Sequence, residues 1–245
     1  MKVESNLALC IPARFDSKRF PGKLLKMIDG KTLIQHVVER ALKSVNKDQL
    51  FVLAGDTRIE GEAERLGVQC LLTRSDLLNG TERVASVLQD LNFDYFVNVQ
   101  ADDPTIPSEL ISSTIEEIKH SNFEVVTPIY EIRKKNDLSK SSNVKVAVNR
   151  GKNRALYFSR FPIPMNYRDE MTTTKHYGHI GIYGYSRRAL ENYSRLDPTP
   201  GEISESLEQL RFLENDISIG VFNYDYEPNA IDLPEDYERI QAMRE

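Results

Sequence analysis

Short apolar runs alternate with amphipathic stretches through the first 130 residues, and this rhythm restricts the fold more than any other feature of the chain. Leu7 to Ile11, Leu50 to Gly55, Val68 to Leu72, Tyr95 to Gln100 and Val125 to Tyr130 each read as a short strand. Between them, Leu33, Ile34, Val37, Val38, Ala41 and Leu42 recur at helical spacing. Arg58 to Leu66, Thr81 to Leu91 and Pro107 to Lys119 read as further helices. In the last of these, Ile111, Ile115 and Ile118 share one face, with Pro107 near the first turn. Such alternation is the pattern of a parallel sheet covered by helices, an α/β fold. From about Ile132 the rhythm changes. Val144 to Val148, Ala155 to Phe158 and Ile180 to Tyr185 are short strand-like pieces among long polar loops, the longest from Pro162 to Lys175. A helix near Ser204 to Leu213, a strand at Ile217 to Phe222 and a helix from Pro234 complete the expected elements. With 245 residues this is one large domain, or one domain with a sizeable insertion.

The loop after the first strand carries Arg14, Lys18, Arg19 and Lys23 against a single acid, Asp16. A strand-to-helix loop in a parallel fold opens at the carboxyl edge of the sheet, where ligands bind. Clustered cations there suit a polyanion, most plausibly a triphosphate, because each anionic oxygen needs a donor or counter-charge. A merely solvated basic loop is the plainer reading. Against it stand the adjoining strand, the turn at Pro21-Gly22 and the acidity of the whole chain, whose net charge is −5. It is not a Walker loop, because Leu24 follows Gly22-Lys23 and Leu25 stands where Gly30-Lys31-Thr32 would need its first glycine. No G-x-G-x-x-G occurs, which disfavours a dinucleotide fold.

The acidic balance argues against a nucleic-acid partner, which would need a broad basic field. Cys10 and Cys70 are too few and too far apart for a disulfide framework or a zinc site, and read as core residues of a reducing compartment. The first residues are too polar for a signal peptide and no run reaches membrane-spanning length, so the expected location is the cytoplasm. Asp102 and Asp103 follow the strand ending at Gln100, where a carboxylate beside a cationic loop would suit a magnesium ion bridging phosphates. Turn formation with Pro104 explains them equally well. Asp232, two residues before Pro234, is a second such carboxylate and also a helix-start signal. Asn79-Gly80-Thr81-Glu82-Arg83 either reads a nucleobase edge or caps a helix. Taken singly, His179, Arg160 and the Glu208-Gln209-Leu210-Arg211 stretch on a late helix admit purely structural readings.

Together these stretches resemble one family, the sugar-acid cytidylyltransferases, and within it the 3-deoxy-D-manno-octulosonate (Kdo) enzymes. The resemblance runs from Ile11-Pro12-Ala13-Arg14 through Arg19-Phe20-Pro21-Gly22-Lys23 to Gly80-Thr81-Glu82-Arg83 and Val97-Asn98-Val99-Gln100 with Asp102. It continues through Val144-Lys145-Val146, Ala155-Leu156-Tyr157-Phe158-Ser159-Arg160, His179 to Tyr185, Leu207 to Arg211, and Asp232 with Pro234-Glu235-Asp236. It implies a Rossmann-like parallel-sheet nucleotidyltransferase domain with a smaller inserted region, 132–185, contributing to the sugar-acid pocket and a homodimer interface. The implied reaction joins CTP and Kdo to give CMP-Kdo and pyrophosphate, with Mg2+. By matched position, Arg14, Arg19 and Lys23 would hold the triphosphate, and Asp102 and Asp232 the magnesium. Ala13, Thr73, Asn79 and Gly80 would surround cytosine. Arg160, His179, Glu208 and Gln209 would line the sugar-acid pocket, with Gln100 near its mouth. Lys23, Arg14 and Asp102 would carry the chemistry.

The sequence also departs from the family. Ala101 replaces a glycine, Asn79 a serine and Leu233 a threonine, and Met165-Asn166-Tyr167-Arg168 stands where a tryptophan is usual. Ala101 is tolerable only where its backbone avoids positive φ. An 8-amino variant of Kdo, another sugar acid, and a nucleotide-binding relative without catalysis all remain compatible with these residues.

Overall fold

The computed structural model describes residues 6–17, 19–165 and 175–242. Lys18 and residues 166–174, and with them most of the loop expected between Pro162 and Lys175, lie outside the described residues. The first strand, β1 (Leu7–Ala13), is buried on both faces. Leu7, Leu9 and Ile11 enter one core, while Ala8 and Cys10 enter another on the opposite side. That is why its sequence is a continuous apolar run rather than an alternating one.

A small hairpin, β2 (Met27–Ile28) and β3 (Lys31–Thr32), leads into α1 (Leu33–Ala41). Thr32 Oγ1 caps this helix by accepting from Gln35 N at 3.2 Å. Then come β4 (Leu50–Ala54), α2 (Thr57–Leu66), β5 (Gln69–Leu72), α3 (Gly80–Ser86), β6 (Tyr95–Val99), α4 (Ser108–His120) and β7 (Val125–Glu131). The second half contains α5 (Lys135–Ser139), β8 (Lys145–Asn149), β9 (Arg154–Ser159), β10 (Tyr177–His179) and β11 (Ile182–Ser186). It ends with α6 (Arg187–Tyr193), α7 (Pro200–Glu205), α8 (Leu210–Glu214), β12 (Ile219–Asn223) and α9 (Pro234–Ala242).

Among the described residues, ten strands form one sheet in the order β10-β8-β9-β12-β7-β11-β6-β1-β4-β5. The expected parallel, helix-covered sheet occupies one side, where β6, β1, β4 and β5 all run the same way. Helices α1 and α4 cover one face through Leu33, Val37, Ile111 and Ile115, and α3 and α6 cover the other through Val84, Ala189 and Leu190. Beyond β6 the sheet is mixed. Strand β11 lies antiparallel to both β6 and β7, and β10 pairs with both β7 and β8. Strands β7, β12, β9, β8 and β10 therefore close on themselves like a small barrel. Of the segment 132–185, β11 is thus an interior strand of the main sheet, while β8, β9 and β10 build its far end.

Two expected helices are shorter than their periodicity suggests. Helix α3 stops at Ser86 rather than Leu91, where Val87 leaves the helical region and the chain continues in tighter turns, and the Arg187 guanidinium binds the carbonyls beyond. It donates to Leu88 O at 3.0 Å, to Phe93 O at 2.8 Å and to Leu91 O. The helix expected over Ser204 to Leu213 is two short ones, broken where Ser206 adopts a left-handed backbone with φ 51°. Glu208 and Gln209 consequently sit in the turn between them and not on a helix. No helix among the described residues is long and apolar enough to cross a membrane.

Candidate active site

A cavity of about 800 Å³ opens at the carboxyl ends of β1 and β6 and reaches across to the turn between α7 and α8. At one end stands Lys23, delivered by the turn at Gly22. That glycine has φ 71°, and an added Cβ would meet the Phe15 ring at 2.9 Å, so the turn requires glycine. Lys23 is buried, and its ammonium lies between two carboxylates: Asp102 Oδ2 at 2.8 Å and Asp232 Oδ1 at 3.3 Å. It also donates to Ile231 O at 2.6 Å. Burial alone would lower this ammonium, but the Asp102 and Asp232 charges outweigh it and raise it above the usual lysine value. Arg19 closes the cluster through Asp232 Oδ2 at 2.9 Å.

Asp102 and Asp232 meet because the chain after β12 is stitched to the end of β6. Ile231 N donates to Asp102 O at 2.8 Å. The neighbouring Asp103 is buried and accepts from Thr105 N and Oγ1, from the Tyr226 hydroxyl at 2.7 Å and from Asn229 N at 3.2 Å. Both aspartates border the cavity, but the Asp103 carboxylate is committed to these bonds, whereas that of Asp102 meets Lys23. Asp236, quoted in the motif but given no role there, fixes the other arm by accepting from Asp232 N and Leu233 N. Its spacing from Asp232 at the start of α9 was the available sign. Ala101 is buried and is not among the described non-glycine residues at positive φ, so the glycine usual there is dispensable in this chain.

The two carboxylates converge on a single cation, the Lys23 ammonium, while keeping 26% and 34% of their side chains exposed. That donor set fits magnesium, a hard cation held by one or two carboxylates plus phosphate oxygens and water. No group of three or more acidic, histidine or cysteine ligands occurs among the described residues, so a metal here would need oxygens from its substrate.

Arg14 lines the same end, together with Ala13 and Gln100. Arg83 does too, although its motif had singled out no role for it. It is buried, donates to Thr73 Oγ1 and to Arg74 O at 3.0 Å, and feels Arg14 as a like charge. Thr73 lies behind Arg83 rather than on the cavity wall, with its hydroxyl donating to Ala54 O at 2.8 Å. Of the two readings of Asn79, the cap is the one present. Its Oδ1 accepts from Glu82 N at 2.8 Å, and its Nδ2 donates to the Tyr193 hydroxyl and Glu202 Oε1, each at 3.2 Å. Both polar ends are committed, so only its backbone is left for a base. Gly80 also lines the wall, where a Cβ would meet Gln100 Nε2 at 2.9 Å.

The other end is lined by Arg160, His179, Glu208 and Gln209. The Arg160 guanidinium donates to Glu205 O at 2.7 Å, Ser141 O at 3.0 Å and Ser206 O at 3.3 Å, so its charge is held by carbonyls alone among these contacts. His179 and Glu208 keep part of their surface open to the cavity, yet burial dominates both. It pushes the His179 imidazole down to about 3, leaving it neutral and hydrogen-bonded to Thr127 Oγ1 at 2.8 Å. It pushes the Glu208 carboxyl up to about 7, against the pull of the Thr81 N–H at 3.3 Å. Gln209 accepts from the Tyr183 hydroxyl at 3.1 Å, while its buried Nε2 has no partner. Behind this wall Arg211, missed as a determinant, bridges Glu82 at 2.7 Å and Glu202 at 2.6 Å.

Cations facing paired carboxylates at the carboxyl edge of the sheet, joined to a polar pocket, define a phosphate-handling α/β protein. The sequence profile of the Cytidylyltransferase family matches residues 8–219, and this chain belongs to that family. It is 39% identical to the 3-deoxy-manno-octulosonate cytidylyltransferase of Pelobacter propionicus, over 98% of this chain and 99% of that one. The protein of the same name from Thermodesulfovibrio yellowstonii is 40% identical over 93% of this chain and 94% of its own. Among solved structures, a CMP:2-keto-3-deoxy-manno-octonic acid synthetase in complex with CTP superposes with a TM-score of 0.89 at 35% identity, covering 98% of both chains. The inositol-1-phosphate CTP transferase from T. maritima shares the fold, at a TM-score of 0.67 and 15% identity.

Proposed function

We propose that this chain transfers CMP from CTP to the anomeric hydroxyl of a 3-deoxy ulosonic acid, Kdo or its 8-amino variant, releasing pyrophosphate. The product would be a precursor of lipopolysaccharide or capsule, made in the cytoplasm where CTP is available. The observation that carries the reading is one cavity with two unlike ends: Lys23 between Asp102 and Asp232 at one, and Arg160 beside Gln209 at the other. The names of the similar proteins and the CTP complex of one of them point to the same pair of substrates.

In this reading Arg14, Arg19 and Lys23 bind the triphosphate, Lys23 trading its carboxylate partners for phosphate oxygens. Ala13, Gly80 and the Asn79 backbone border the base, Gln100 lies between the two substrates, and Thr73 contributes only by holding Arg83. Arg160 takes the acceptor's carboxylate, Glu208 and neutral His179 take its hydroxyls, and Gln209 backs this wall through its bond with Tyr183. The acceptor hydroxyl oxygen then bonds to the α-phosphorus, its proton passing to solvent, as the bond from that phosphorus to the pyrophosphate oxygen breaks. Positioning and neutralisation of the leaving group by Lys23 and Arg14 lower the barrier. Asp102 and Asp232 would hold the Mg2+, which neutralises charge on the phosphates when bound. We further assign a homodimer contact to segment 132–185, which presents Leu156, Phe161 and Met165 to solvent.

A pyrophosphate-release panel of four nucleoside triphosphates against several ulosonic acids tests the proposal. Turnover confined to CTP with a 3-deoxy ulosonic acid is expected. CTP binding by calorimetry with no release on any acceptor would overturn it.

A further inference from the structure

Strand β8 carries a lysine at a wholly buried position. Lys145 is 0% exposed, and its ammonium donates to Asn143 O at 2.7 Å, to Lys140 O at 2.9 Å and to Arg160 O. Three N–H donors meet three carbonyls, which saturates the group without a carboxylate. Removing an ammonium from water costs several kcal/mol, and a methionine of similar length would pack there more cheaply. The arrangement of the three acceptors shows what the charge achieves.

Carbonyls 140 and 143 bracket Ser141, and Ser141 O is where Arg160 Nη1 donates. The third acceptor is the main chain of Arg160 itself. One ammonium thus grips both the backbone that carries Arg160 and the turn that aims its guanidinium. Glu205 completes the frame, accepting from Arg160 N at 2.9 Å through its carboxylate and from Nε at 2.7 Å through its carbonyl. A free arginine side chain would give up its rotamer freedom on binding an anion, and this frame removes that loss beforehand. Burial first, and then the Arg160 charge, lower the Lys145 ammonium, so an anion arriving at Arg160 also relieves a repulsion within the frame.

We propose that Lys145 is a positioning residue for the acceptor's carboxylate, acting through Arg160 and the 140–143 turn. The proposal rests on the reading of the Arg160 end as the sugar-acid end. The test measures steady-state pyrophosphate release with CTP and Kdo for the parent chain, Lys145→Met, Arg160→Ala and the double variant. In Lys145→Met the KM for Kdo should rise about tenfold or more, a cost typical of a misplaced binding group, with kcat and the KM for CTP little changed. In the Arg160→Ala background the same substitution should add almost nothing. An unmoved KM for Kdo, an equal rise for both substrates, or full additivity with Arg160→Ala would overturn the role.

Should Lys145→Met fail to fold, Ser141→Gly/Ser142→Gly loosens the same exposed turn at small cost and reads the same ratio of KM values. A selective rise for Kdo supports the proposal, and no rise defeats it. Parent turnover with an unmoved ratio sinks the positioning role alone. Absence of turnover by the parent sinks the functional reading and this one with it.

Discussion

At the phosphate end of the cavity the charges are half-open and exchangeable. Arg19 is 59% exposed, Asp232 34% and Asp102 26%, and Lys23 is shared between the two acids. Behind the acceptor end the polar groups are sealed. Arg211 is 3% exposed between Glu82 and Glu202, and Gln209 is 2% exposed. The first arrangement suits a ligand of high charge that must displace existing partners. The second suits a hydroxyl-rich ligand of low charge recognised by fixed geometry. Substitutions at the first end should therefore alter catalysis with little change in stability, and those behind the second should do the reverse.

Asp102→Asn offers the largest effect and the sharpest test of that contrast. Turnover should fall by about 10³-fold or more while thermal unfolding followed by circular dichroism stays near that of the parent. Full activity in this variant with magnesium would remove Asp102 from the ligand set. Arg211→Met comes next, in the opposite sense. It strands the Glu82 and Glu202 carboxylates and should cost about 3–5 kcal/mol in urea unfolding. A loss below about 1 kcal/mol, the level of an exposed pair, would break the comparison.

Within the acceptor end, Glu208 and His179 set opposing pH dependences. With Glu208 raised from 4.5 to about 7, the folded chain keeps a proton that the unfolded chain has released, and stability falls as pH rises through that window. With His179 lowered from 6.5 to about 3, the unfolded chain holds the extra proton, and stability falls as pH drops below 6.5. Each slope is about 1.4 kcal/mol per pH unit, so the two cancel between pH 4.5 and 6.5. Relative to the parent, Glu208→Gln should gain up to about 3 kcal/mol between pH 4.5 and 7, and His179→Asn should gain on acidification below pH 6.5. Urea titrations across that range measure both, and parallel curves for parent and variants would refute the assignment. The smallest effect belongs to Arg19→Ala: stability within about 1 kcal/mol of the parent, and a rise of a few-fold in the KM for CTP that shrinks in high salt.

What the sequence disclosed was local. Apolar runs and helical periodicity located most strands and helices, and the cationic loop marked the cavity edge. Strand direction beyond β6 was not legible, because an apolar run does not say whether β11 runs with β6 or against it. Nor was the meeting of Asp102 with Asp232, which depends on Asp103 tying down Tyr226 and Asn229 far along the chain. Helix ends, and what binds beyond them, escaped for the same reason. Arg187 binds the carbonyls after α3 from another element, and no residue within Thr81 to Leu91 records that. Arg83 and Lys145 were visible as motif letters, but their burial and partners emerge only when the sheet is assembled.

Strand β11, hydrogen-bonded to β6 on one side and β7 on the other, makes the floor beneath both substrates a single plank. A two-lobed enzyme joins its halves through a linker; here a shared strand joins them. The two ends of the cavity are thus carried on one continuous sheet, and the spacing between them is cast when the chain folds.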